Sequence, residues 1–235
     1  MRTEPAPAWN EHADGDALAI ALAGAVAADL RAAIAARGQA LLAVSGGSTP
    51  RRFLAALGRE ALDWSRVGVS LVDDRWVAPD EARSNARLLA DTLFAGEAGA
   101  ARWLPLHRPT ATPEEALDAV EAALRAEPLP FDALVLGMGN DGHTASLFPD
   151  SDHLAEALDP ASQRLLFTMR APNAPEPRIT LGLAAILAAR ARYLHIEGEA
   201  KRAVYQDALQ PGPVEAMPVR AVLRADAMLQ VHWCP

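Results

Sequence analysis

The stretch 41-LLAVSGGSTPRRFLAAL-57 decides the fold. Leu41 to Val44 is a short unbroken apolar run, as expected of a strand buried on both faces. It stops at Ser45-Gly46-Gly47-Ser48-Thr49, and Pro50 then opens a helical pattern. Proline suits the first helical position, where its missing N–H costs nothing, so Thr49 is expected at the N-cap. Two glycines in the connecting loop let the backbone take unusual dihedrals and let an object approach it closely. Free N–H groups, two serine hydroxyls and the start of a helix together form an anion cradle suited to phosphate. A plain strand-to-helix turn is the alternative reading. The loop lacks the Gly-Lys-Ser/Thr ending of a nucleotide-binding P-loop, which argues against a nucleoside triphosphate.

Outward from this unit, strands and helices alternate. Leu18, Leu22, Val26, Leu30 and Ile34 recur every four residues and predict a helix, with Asp14 or Asp16 to cap its start and Gly38 to end it. Strands are expected at 39–45, 67–72, 133–136, 165–169, 191–196 and near 228–233. Helices are expected from Pro50 to about Arg59 and over 84–94, 113–126, 178–190 and 199–209. The Pro-rich 171-APNAPEP-177 reads as a loop leading into the helix at 178. Such alternation predicts an α/β, Rossmann-like fold with a mainly parallel sheet and helices on both faces. No linker is visible, so one domain over 1–235 is expected. In open α/β sheets ligands bind beyond the carboxyl ends of the strands. Three informative segments lie there: the glycine loop, Asp73-Asp74-Arg75, and Asn140-Asp141-Gly142-His143.

Composition bounds the function. The chain has 235 residues, 51% hydrophobic and 22% charged, which is ordinary for a soluble globular protein. No run is read as long enough for a membrane span, and the apolar segment 17–36, with Asp29 and Arg31, reads as a surface helix. The start, MRTEPAPAWNEHADGD, has no apolar core like that of a secretion signal. A cytoplasmic protein without membrane association is expected. The single cysteine, Cys234, excludes an intrachain disulfide and a multi-cysteine metal site. A net charge of −8 argues against nucleic acid as a partner and requires any phosphate site to be locally basic. Of the 22 Lys and Arg residues only Lys201 is lysine. It marks either a site that arginine cannot fill or a chance survival in an arginine-biased sequence.

The segment 137-GMGNDG-142 matches G-x-G-x-x-G after a strand, but the next strand ends in Arg170 at the wrong spacing for a dinucleotide fingerprint. A nicotinamide cofactor is therefore not expected. His143 follows this turn with Asp141 two residues before it. A carboxylate that orients an imidazole makes a candidate general base; a structural turn histidine is the alternative. The other histidines show no H-x-x-x-H spacing, so no metal is expected. A serine–histidine hydrolase with Ser45 as nucleophile is disfavoured, because 43-AVSGG-47 is not G-x-S-x-G. Arg75 can clamp an anion if one of the two preceding aspartates holds it; an exposed acidic turn is the bland reading.

Taken together, SGGSTP (45–50), DDRWVAPDEARSN (73–85), GMGNDGHTASLFPD (137–150), RITL (178–181) and GEAK (198–201) resemble the glucosamine-6-phosphate isomerase/6-phosphogluconolactonase family. The segments lie in the family's order and look most like its lactonase branch. The resemblance implies hydrolysis of 6-phospho-D-glucono-1,5-lactone to 6-phosphogluconate in the oxidative pentose phosphate pathway, with no cofactor. It implies a small-molecule sugar phosphate as the only partner besides a possible second copy, the chain being a monomer or a small homo-oligomer. It also implies roles: Ser45, Gly46, Gly47, Ser48, Thr49, Arg75 and Lys201 at the phosphate, His143 as general base, Asp141 orienting it, and Arg75 or backbone N–H groups near 139–143 at the oxyanion. Two departures stand out: Asp74 occupies a position where the family usually has Glu, and Gly182-Leu183 follows RITL where Thr is common. The sister deaminases typically read G-H-I-A-F-N-E-P after the glycine turn. Here 142-GHTASLFPD-150 has no Glu in that place, which favours ester hydrolysis over ring opening and ammonia release.

Overall fold

The computed structural model describes residues 7–225 and 228–235. Part of the N-terminal stretch read above as lacking a secretion core, residues 1–6, lies outside them. In chain order the strands are β1 (Ala8–Glu11), β2 (Ala40–Val44), β3 (Val67–Leu71), β4 (Asp73–Arg75), β5 (Arg102–Trp103), β6 (Ala133–Leu136), β7 (Leu166–Ala171), β8 (Ala174–Leu181), β9 (Ala191–Glu197) and β10 (Gln230–Cys234). The helices are α1 (Gly15–Arg37), α2 (Arg51–Leu57), α3 (Asn85–Asp91), α4 (Pro113–Arg125), α5 (Leu154–Ala157), α6 (Leu183–Ala188), α7 (Glu199–Leu209) and α8 (Val219–Ala225).

The main sheet runs β1-β10-β9-β6-β2-β3-β5, every neighbouring pair parallel. Every residue of β2, β3 and β6 is buried, so both faces of the sheet are covered. From β2 the chain proceeds outward to β3 and β5; from β6 it proceeds the other way to β9 and β10. Strand order therefore reverses between β2 and β6, and the crevice beyond their carboxyl ends is where such a sheet takes a ligand. The glycine loop and the Gly137–His143 turn flank it.

A second sheet, β4-β8-β7, is antiparallel and stands against the first. Val72 joins the two: its N–H donates to Val44 O at 3.0 Å, and its carbonyl accepts from Leu181 N at 2.8 Å. Here the sequence reading needs correction. Segment 171–181 is not a loop leading into a helix: Ala174–Leu181 is a strand, and only Leu183–Ala188 is helical. The β-branched Ile179 and Thr180 fill buried positions on a pleated surface, and Gly182 starts the helix behind them. Asp73–Arg75, read as the end of the preceding strand, is a strand of its own paired with Arg178–Thr180. β1, β5, α5 and α8 were not legible, and the helix expected over 84–94 ends at Asp91.

Helix α1 is capped by Asp14, whose carboxylate accepts from Asp16 N and Ala17 N, and closes on Gly38 at φ 77°. By length and composition α1 could cross a membrane, whereas no run was read as long enough to do so. Its Leu18, Leu22, Val26 and Leu30 are fully buried, α1 rests on α2 and β2, and Asp29 accepts from Tyr193 O–H at 2.5 Å.

Candidate active site

The loop after β2 turns at Gly47, whose φ of 96° favours glycine. Gly46 cannot carry a side chain: a Cβ there would sit 2.0 Å from Asn85 Oδ1. Helix α2 starts one residue later than expected. Pro50 takes the cap position with φ −78° and ψ 2°, and no side chain caps the helix. Thr49, expected to cap α2, instead lines the cavity. Among the described residues the N–H groups of Gly46, Gly47, Ser48 and Thr49 find no protein acceptor. Ser45 Oγ accepts from Gly137 N at 3.0 Å, which ties the loop to the end of β6 rather than to His143.

Across the crevice, His143 Nδ1 lies 2.6 Å from Asp141 Oδ1, and the same oxygen accepts from His143 N at 3.1 Å. A carboxylate acceptor fixes the proton on Nδ1 and leaves Nε2 with its lone pair. Burial alone would raise the Asp141 pKa, but hydrogen bonds and charge from His143 outweigh it and bring the carboxyl down to about 2. The pair fits only because residue 139 is glycine; a Cβ there would lie 2.1 Å from His143 Nδ1. The His143 ring packs at 4.3 Å on Phe148, which lines the cavity with it.

Both elements face one cavity of about 400 Å³, enough for a small sugar phosphate. All of the predicted loop residues, Ser45 to Thr49, line it, as do His143, Arg75 and Lys201; Asp141 stands behind His143. Lys201 sits in the first turn of α7. Burial lowers its pKa, opposed by the charge of Asp141, and Lys201 lines the cavity together with His143.

Arg75 is held differently from the expectation. Asp74 Oδ1 accepts from the backbone N–H of Arg75 at 2.8 Å and of Asn85 at 2.9 Å, and does not clamp the guanidinium. Arg75 Nη1 donates to Arg83 O at 2.5 Å, and its buried Nε has no partner among the described residues. Burial pushes the Asp74 carboxyl up to about 7 against those two hydrogen bonds. The sequence reading missed Arg83, Asn85, Arg178, His195 and Glu197, all of which line the cavity.

Residues 13–233 match the family described as glucosamine-6-phosphate isomerases/6-phosphogluconolactonase. The chain belongs to that family. A Mesorhizobium japonicum protein named 6-phosphogluconolactonase is 51% identical over 228 residues, covering 97% of this chain and 95% of its own. One from Pseudomonas aeruginosa with the same name is 50% identical over 214 residues, covering 91% and 89%. The crystal structure of a 6-phosphogluconolactonase from Shewanella baltica superposes with a TM-score of 0.94 at 41% identity, covering 97% of this chain and 98% of that one. The Rossmann-like α/β architecture is thus that of the family, with the antiparallel β4-β8-β7 sheet as the second wall of the crevice.

Proposed function

We propose that the chain hydrolyses 6-phospho-D-glucono-1,5-lactone to 6-phospho-D-gluconate, the lactone-opening step of the oxidative pentose phosphate pathway, in the cytoplasm. The observation that carries this is the shared cavity: an anion cradle on one side and an Asp-supported histidine on the other. The close relatives' name specifies the substrate. The phosphate takes the N–H groups of Gly46 to Thr49, the hydroxyls of Ser45, Ser48 and Thr49, and charge from Arg75 and Lys201. Binding energy from that remote group positions the ester for attack. His143 Nε2 removes a proton from water as the water oxygen bonds to C1. The C1–O5 bond then breaks, and the proton returns from His143 to O5. Asp141 keeps the ring in the productive tautomer and balances its charge while it holds the proton. No step requires a cofactor, a nucleic acid or a membrane.

The test is to add purified protein to freshly made lactone and follow acid release, with a parallel ammonia assay on glucosamine 6-phosphate. Lactone cleavage without ammonia is expected, and His143→Ala should lower kcat by about 10²–10⁴-fold. Ammonia release at a comparable rate, or no acceleration of lactone opening, overturns the reading.

A further inference from the structure

The wall of the crevice opposite the glycine loop gathers three arginines. Arg75 on β4 and Arg178 on β8 are direct partners across an antiparallel pair, so both side chains stand on one face of the small sheet. Arg83 joins them at the cavity. The carboxylate of Glu176 is engaged by Arg83, with Nε to Oε1 at 2.6 Å and Nη2 to Oε2 at 2.9 Å. Arg178 is left with Glu176 Oε2 at 3.9 Å from Nη2, and its Nε donates to the Glu176 carbonyl at 3.3 Å. Asp73, the other nearby acid, accepts from Ser146 O–H at 2.6 Å. Arg178 is only 8% exposed, and the surface it keeps opens to the cavity. A cation this desolvated and incompletely paired favours an incoming anion.

Its position says which anion. The Arg178 guanidinium lies 5.4 Å from the Phe148 ring centroid, and the same ring packs against His143. The phosphate is already supplied with donors by the glycine loop, Arg75 and Lys201. We propose that Arg178 binds the reacting end of the substrate, donating to the lactone carbonyl oxygen as it becomes an oxyanion and afterwards to the product carboxylate. This rests on the lactonase reading. Arg178 then acts most strongly when charge develops at C1, which is where a fixed donor lowers the barrier. Its contact with the Phe148 ring and its Nε–H bond to the Glu176 carbonyl hold the guanidinium before substrate arrives.

The experiment compares two ligands that differ only at C1. 6-Phosphogluconate carries a carboxylate there, and sorbitol 6-phosphate carries an alcohol. In Arg178→Met, calorimetry should show 6-phosphogluconate weakened by about 10- to 100-fold and sorbitol 6-phosphate by less than about threefold, while kcat falls by about 10²-fold or more. Retained sorbitol 6-phosphate binding shows that the cavity is intact. Should Arg178→Met not fold, Arg178→Lys, which keeps the stem and the charge, is expected to show the same selective loss in smaller measure. Equal weakening of both ligands would make Arg178 a phosphate contact, and no weakening of either would make it structural; both overturn the proposal. A wild-type protein inactive on the lactone would instead refute the proposed function, an outcome read in a separate assay.

Discussion

Replacing Asp74 by asparagine should change how stability depends on pH, by an amount the site itself sets. The carboxyl is 1% exposed, and its pKa is pushed up to about 7, chiefly by burial, with Asp73 adding to it and the N–H groups of Asn85 and Arg75 opposing. In the unfolded chain an aspartate titrates at about 3.9. Between about pH 4 and pH 7 the native state therefore holds a proton that the unfolded state has released. Stability contributed by this group is complete below the unfolded value and lost as pH rises through the folded one, at up to about 1.4 kcal/mol per unit and about 4 kcal/mol in all. Asparagine keeps an Oδ1 acceptor for the two N–H groups and does not titrate. Wild-type stability alone would mislead, because His232 acts with the opposite sign. Burial, then the charges of His12 and His195, depress its pKa to about 4, so its contribution is complete above about 6.5 and lost as pH falls through the folded value. The informative quantity is the difference between the two proteins in urea unfolding free energy from pH 5 to pH 8. Asp74→Asn should gain about 3 kcal/mol on wild type across that range. A pH-independent difference would mean that Asp74 is not buried as a proton-holding group.

Two further outcomes follow from the site. Gly139→Ala forces a methyl against His143 Nδ1 and Asp141 Oδ1, so kcat should drop by about 10²-fold while 6-phosphogluconate still binds; steady-state kinetics with calorimetry decide, and wild-type kcat would show that the pair tolerates displacement. Lys201→Ala should weaken 6-phosphogluconate by about 10-fold or more and gluconate hardly at all, and Lys201→Arg should also be impaired; equal losses for the two ligands would remove Lys201 from the phosphate.

Much of this site was legible because its signals are local. A strand that stops at Ser-Gly-Gly-Ser-Thr, a glycine turn with Asp and His two apart, and one surviving lysine are each contained in a few residues. The long periodic helices were equally plain, down to the Asp14 cap and the Gly38 end. What failed was non-local. RITL precedes an apolar, alanine-rich run, and that run's helical period was extended backwards over Arg178 to Leu181. The alternation of Arg178 and Thr180 with Ile179 and Leu181 was the strand signal available, but its meaning depends on β4 and β7, distant in sequence. Misassigning that strand hid Arg178 and left Asp73–Arg75 as the mere end of the preceding strand rather than a strand of its own. Thr49 failed for a subtler reason. Proline is as well suited to the turn residue that closes the loop as to the first helical position, and only the backbone decides between them.

The pairing of β1 with β10 has a consequence for how the chain is made. Among the described residues, the strand at one edge of the main sheet comes first in sequence, and its sole neighbour there comes last. In a polypeptide growing from its N-terminus, Ala8–Glu11 has no strand to join until residues 230–234 have been synthesised. β9, which brings His195 and Glu197 to the cavity, likewise gains its second neighbour only then. The crevice can thus form its glycine loop and its His143 turn early, from β2, β3 and β6. The edge that supports α7 and Lys201 is completed only once residues 230–234 have emerged, when the longest-range contacts in the fold close.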